Sequence, residues 1–127
     1  MKILIVDDEP KIAHTLVDIL RGEGHDAISV SNGTSALEWA VKIVPDVVLS
    51  DVIMPGINGI EAAKEIMRCL PNCRIILFSG QASSMDILEQ ARSEGYAFDL
   101  LAKPVNPEVL LSAINGEGGE GPTPETS

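Results

Sequence analysis

The strongest constraint on the fold is a repeated alternation. Short apolar runs are each followed by a segment with helical spacing. Ile3-Leu4-Ile5-Val6 gives way to Ile12, Leu16, Ile19 and Leu20 at helical intervals. The pattern recurs, predicting strands over 2–6, 26–31, 46–50, 74–79 and 97–102. Helices are expected from Pro10, after Asn32-Gly33, over 59–70 and 83–94, and from Pro107 to about Ile114. Pro10 sits where a first helical turn tolerates proline. Gly22 and Gly24 end the first helix, and Pro45 and Pro71 close the second and third. Strands alternating with helices of this length require crossover connections, and hence a parallel sheet. Strands 1, 3 and 4 are continuously apolar, as in strands covered on both faces. Strand 2 sets Ala27, Ser29 and Ser31 against Ile28 and Val30, which suits an edge.

The polar residues that interrupt this pattern fall at strand ends. Asp7 and Asp8 follow the first strand, Asp51 the third, Ser79 ends the fourth, and Lys103 follows the fifth. In an open parallel sheet, ligands bind beyond the carboxyl ends of the strands. A buried charge there costs on the order of several kcal/mol unless it is paired or bound to metal. Clustered carboxylates repel one another unless a cation lies among them. Mg²⁺ takes carboxylate, water and phosphate oxygens. A carboxylate can attack phosphorus to form an aspartyl-phosphate. A lysine and the cation stabilise the transferring phosphoryl oxygens, and a serine hydroxyl can donate to one. Singly, each signal has a plainer reading. Asp7 and Asp8 suit a helix cap and first turn, and Ser79 suits an ordinary turn. Together they describe a site for a divalent cation and a phosphoryl group.

This set resembles the receiver domain of bacterial two-component response regulators. The matching residues are Asp7-Asp8, Asp51-Val-Ile-Met54-Pro55 through Gly59, Ser79, and Lys103-Pro104. The resemblance implies an α/β fold, a (βα)5 flavodoxin-like doubly wound parallel sheet of strand order 2-1-3-4-5. It implies that Asp51 is the phosphoacceptor, taking phosphate from a histidine kinase or phosphotransfer protein. Asp8 and Asp51 would hold Mg²⁺, with Asp7 acting through water and the Ile53 backbone carbonyl as a further ligand. Lys103 would pair with the phosphoryl group, and Ser79 would be the switch hydroxyl. Output would pass through the fourth helix, fifth strand and fifth helix to a downstream protein or domain. Three positions bear on how far the family pattern carries over. Leu100 stands three residues before Lys103, where an aromatic is common. The resemblance implies that Ile53 and Gln81 line the approach to the phosphoryl group, and an apolar Ile53 cannot orient an attacking water. Slow self-dephosphorylation is therefore expected.

The resemblance covers residues 1–115, read as one receiver domain. From Gly116 no large apolar residue occurs, so 116–127 reads as a disordered tail. A net charge of −10 lacks the basic face that nucleic acid requires. No apolar run approaches the ~20 residues of a membrane span, and the N-terminus lacks signal-peptide features, so a cytoplasmic location is expected. Cys69 and Cys73 are read as free thiols, since the only histidines are His14 and His25. Both histidines are expected at the surface, and Trp39 in partial burial. A phosphohydrolase built on Asp51 would want a separate acid/base and a substrate cap. Neither is evident, so the expected role is a signalling switch rather than a turnover enzyme.

Overall fold

The computed structural model describes residues 1–52, 59–79, 84–96, 98–102 and 106–115. The elements run β1 (Lys2–Val6), α1 (Pro10–Gly22), β2 (Asp26–Val30), α2 (Gly33–Ile43) and β3 (Val47–Asp51). They continue with α3 (Gly59–Cys69), β4 (Arg74–Ser79), α4 (Ser84–Ser93), β5 (Asp99–Ala102) and α5 (Pro107–Ile114). The five strands form one parallel sheet in the order β2-β1-β3-β4-β5. This is the expected flavodoxin-like arrangement, with β2 at an edge.

Strand alternation divides the core in two. Leu4, Val6, Val48, Ile75 and Leu77 pack on one face with Ala36 and Ala40 of α2 and Ile60, Ala63 and Ile66 of α3. Ile3, Ile5, Val47, Leu49, Ile76 and Phe78 pack on the other with Leu16, Val17 and Leu20 of α1 and Leu110, Ala113 and Ile114 of α5. Because both faces are covered, the central strands carry apolar side chains at successive positions. Burying each Leu, Ile or Phe contributes about 1.5–3 kcal/mol.

Local chemistry sets the helix ends. Pro10 and Pro107 occupy first-turn positions, where no intrahelical N–H is needed. The Asn32 side chain accepts from Ser35 N–H at 2.8 Å and caps α2. Asn106 does the same for α5, accepting from Glu108 N–H at 2.8 Å. Beyond α1, Gly24 turns the chain back at φ +89°, a conformation glycine adopts freely.

Several boundaries differ from expectation. The third strand includes Asp51, which stays in register with Phe78. Strand 2 stops at Val30, and regular β5 structure begins at Asp99. His25 is partly buried, and its Nδ1 lies 3.3 Å from the N-terminal amine. Trp39 is 42% exposed. Residues 116–127, the expected tail, lie outside the described residues.

Candidate functional site

The site is built at the carboxyl edge of the sheet by strand register. Val6 of β1 lies level with Ser50 of β3, so the next residues, Asp7 and Asp51, reach the same edge on adjacent strands. Asp51 is level with Phe78 of β4, which puts Ser79 one strand over and one residue further on. Ser79 in turn is level with Ala102, the last residue of β5. Four of the expected site residues, Asp7, Asp8, Asp51 and Ser79, thus occupy one edge. Lys103 and Ile53 lie outside the described residues.

Asp7 and Asp51 are buried, at 2% and 6% exposure, while Asp8 is exposed. One carboxylate oxygen from each of Asp7, Asp8 and Asp51 lies within 4.8 Å of the other two. Like charges at about 4 Å repel by roughly 1 kcal/mol in water and about 4 kcal/mol at an effective dielectric near 20. A hard divalent cation converts that repulsion into coordination, and an all-oxygen donor set is the one Mg²⁺ prefers. The residues present therefore fit Mg²⁺.

Two contacts hold the acids in place, and the sequence pattern did not flag them. Glu9 N–H donates to Asp7 Oδ1 at 2.9 Å, so one carboxylate oxygen braces the turn into α1. The plainer expectation of a helix cap and a first-turn acid does not hold: Glu9 stands at the N-cap of α1 without a side-chain cap bond, and no acid lies in the first turn. Ser50, only 2% exposed, donates its hydroxyl to the Asp51 backbone carbonyl at 3.0 Å. A hydroxyl inside an otherwise apolar run was the available signal, since a buried hydroxyl needs a partner.

Farther out, Lys64 of α3 bridges to Glu94 after α4 at 2.7 Å and lies 5.6 Å from the Tyr96 ring centroid. The hydrogen bond to Glu94 holds the Lys64 ammonium above its ordinary pKa. The same bond holds the Glu94 carboxyl below its own. Tyr96 stacks on Phe98, with ring centroids 6.0 Å apart. Both pack with Leu100 on the α2–α3 face of the sheet. The aromatic pair thus precedes β5, and Leu100 lies within the strand. Cys69 is exposed, Cys73 is buried, and both are free thiols.

A doubly wound parallel sheet with a cluster of acids at its carboxyl edge defines the class of small α/β modules that bind cations and phosphoryl groups there. Comparison with known proteins narrows the class. Residues 3–115 match the response regulator receiver domain family, and the chain belongs to that family. It is 36% identical over 115 residues to chemotaxis protein CheY of Thermotoga maritima, covering 90% of this chain and 94% of that protein. It is 33% identical over 113 residues to the DNA-binding response regulator MtrA of Mycolicibacterium smegmatis, covering 89% of this chain. The chain spans about half of that relative's length, 48%. Among solved structures, a response regulator receiver domain protein from Clostridium thermocellum superposes with a TM-score of 0.83 at 32% identity. That match covers 91% of each chain.

The chain is therefore a receiver domain of two-component signalling. Its family is one of signalling phosphoacceptors rather than turnover enzymes. Receiver domains bind Mg²⁺ at an acidic pocket and interact with histidine kinases and output partners. The MtrA relative is DNA-binding by name, so the expectation of no direct nucleic-acid contact concerns residues 1–127 alone. Among the described residues, no helix is long and apolar enough to cross a membrane.

Proposed function

We propose that Asp51 is the phosphoacceptor of a phosphorylation-dependent switch. The observation that carries this is the convergence of Asp7, Asp8 and Asp51 within 4.8 Å at the ends of two adjacent central strands. Asp51 is the buried member at the tip of β3, flanked by strands on both sides. Its carboxylate oxygen attacks the phosphorus of a phosphohistidine on a kinase or phosphotransfer protein. An acyl-phosphate bond forms, the P–N bond breaks, and the imidazole leaves with a proton. Asp8 and Asp51, with the Ile53 carbonyl, would hold Mg²⁺, and Asp7 would support it. Bound there, Mg²⁺ supplies charge neutralisation to the transferring oxygens. Lys103 pairs with the phosphoryl group. Ser79, at the tip of β4, donates its hydroxyl to a phosphoryl oxygen.

Drawing Ser79 toward the phosphoryl group shifts the end of β4, which pairs with β5. The α4-β5-α5 surface changes in response and is read by a downstream protein or domain. Residues 1–115 form the receiver, and the domain works in the cytoplasm.

The test is intact mass after treatment with acetyl phosphate and Mg²⁺, on the parent and on Asp51→Asn. One phosphate increment in the parent and none in the variant is expected. The same increment in both would refute the assignment to Asp51.

A further inference from the structure

The β2 edge of the sheet is half closed. Val30 O accepts from Asp7 N–H at 3.1 Å, and Asp26 N–H donates to Met1 O at 2.8 Å. Positions 26, 28 and 30 therefore turn their backbone groups toward β1. Alternation along the strand turns those of Ala27 and Ser29 outward. Arg21 Nε covers the outward carbonyl of Ala27 at 3.1 Å. The N–H and carbonyl of Ser29 have no hydrogen-bond partner among the described residues. Unpaired edge groups of this kind are a template for another strand.

A groove of about 340 Å³ opens at the same place. Pro10 and His14 of α1, Ser29 of β2, Trp39 of α2 and Asp7 are among the residues that line it. Trp39 supplies apolar area at 42% exposure. Its ring already carries Lys42 at 5.2 Å from the centroid. A positive side chain entering the groove is therefore drawn by the carboxylates rather than by the indole. Asp7 lines the groove, and the exposed Asp8 stands beside it in the acidic cluster.

We propose that this groove docks an extended segment of a partner protein. In the metal-free chain the segment adds as a strand to β2 and seats an arginine or lysine toward Asp7 and Asp8, the carboxylates that Mg²⁺ would otherwise engage. Main-chain pairing at Ser29 provides affinity, and side-chain pockets provide selectivity, as in other strand additions. A second copy of this chain is a poor occupant. Its net charge of −10 repels, and its own edge segment, Asp26-Ala27-Ile28-Ser29-Val30, carries an acid and no base.

The test uses the full, metal-free chain labelled with ¹⁵N and the peptide acetyl-Val-Arg-Val-Arg-Val-amide. Saturable shift changes are expected at Ser29, Val30 and the Trp39 indole. Replacing the peptide arginines by glutamates should weaken binding about tenfold or more. Ser29→Pro keeps the β1 ladder, because position 29 faces away from it, and should abolish binding. Trp39→Ala, at an exposed position, should weaken it several-fold and serves the same purpose if Ser29→Pro does not fold. Absence of saturation in the parent, equal binding of both peptides, or undiminished binding by folded Ser29→Pro or by Trp39→Ala would overturn the proposal. Concentration-dependent broadening at Ser29 without peptide would assign the edge to a second copy instead, and also overturn it.

Discussion

Val44 is the non-glycine residue with positive φ among the described residues, at φ 49° and ψ 69°. Helix α2 ends there, with the Val44 N–H donating to the Ala40 carbonyl at 2.9 Å as the chain turns left-handed. This conformation costs an L-residue about 1–2 kcal/mol, because Cβ crowds the following carbonyl. A β-branched side chain and a following proline, here Pro45, tighten the restriction. The valine is 58% exposed, so truncation removes little packing. Val44→Ala retains the crowding Cβ. Val44→Gly removes it, at an entropic cost of about 0.5–1 kcal/mol in backbone freedom. Subtracting the two, the glycine variant should exceed the alanine variant by about 0.5–1 kcal/mol. Glu38, exposed within the same helix, provides the control, since Ala should exceed Gly there by about 1 kcal/mol. Urea unfolding of the four variants, compared at equal m-value, measures both differences. If Gly falls below Ala at position 44 by the same margin as at 38, the left-handed strain is absent and the reasoning fails.

Three other expectations are open to direct measurement. Lys64 depresses the Glu94 carboxyl below its ordinary 4.5, so their bond stabilises the fold above that pH and is lost as pH falls through the lowered value. The Lys64 ammonium is raised above 10.5, so the alkaline loss comes only beyond that point. Lys64→Met should therefore flatten the acid limb of the stability profile, and an unchanged limb would remove the bond from the account. Burial pushes the Cys73 thiol up to about 11, leaving roughly a thousandth as thiolate at pH 8. Iodoacetamide should label the exposed Cys69 in the native protein and reach Cys73 only in urea, whereas two rapid equivalents in the native state would contradict the packing. Finally, apolar Ile53 offers no hydrogen bond to a hydrolytic water, so the phosphorylated chain should persist well beyond seconds. Timed intact-mass decay after removal of the phosphodonor reads this directly, and a half-life of seconds would count against it.

The fold was legible where one physical rule dominated. Doubly buried strands read as apolar runs, and β1 and β3 were found within a residue because neither face tolerates water. The third strand runs one residue further than its apolar pattern, through Asp51, because backbone pairing continues past the last apolar side chain. The acids were legible because strand ends on adjacent strands must meet once the order is known. What stayed hidden depends on side-chain direction. Nothing in the spacing of Ser50 says that its hydroxyl turns to the Asp51 carbonyl. Nothing in Lys64, Glu94 and Tyr96 announces a contact between residues 30 positions apart. His25 was expected in solvent, but the β1–β2 pairing brings the N-terminal amine to it.

The position of the chemistry follows from the burial that makes the sheet. The four residues of β3 before Asp51 are buried on both faces of the sheet, so a charge among them would lack both water and counter-charge. Ser50 is tolerated because its hydroxyl is satisfied one residue along the backbone. The first place a carboxylate can stand is the tip, where the sheet opens toward the loops, and Asp51 stands there. Asp7 meets the same limit at the tip of β1, one strand away. Strand register then brings the two acids together without either strand being specialised for the purpose. Moving Asp51 one residue inward would bury it among Val6, Leu77 and their neighbours. Moving it one residue outward would remove it from the register that sets it beside Asp7. The acidic site is therefore tied to the last paired residue of β3, and its chemistry depends on the pairing of β3 with β1 as much as on the carboxylates themselves.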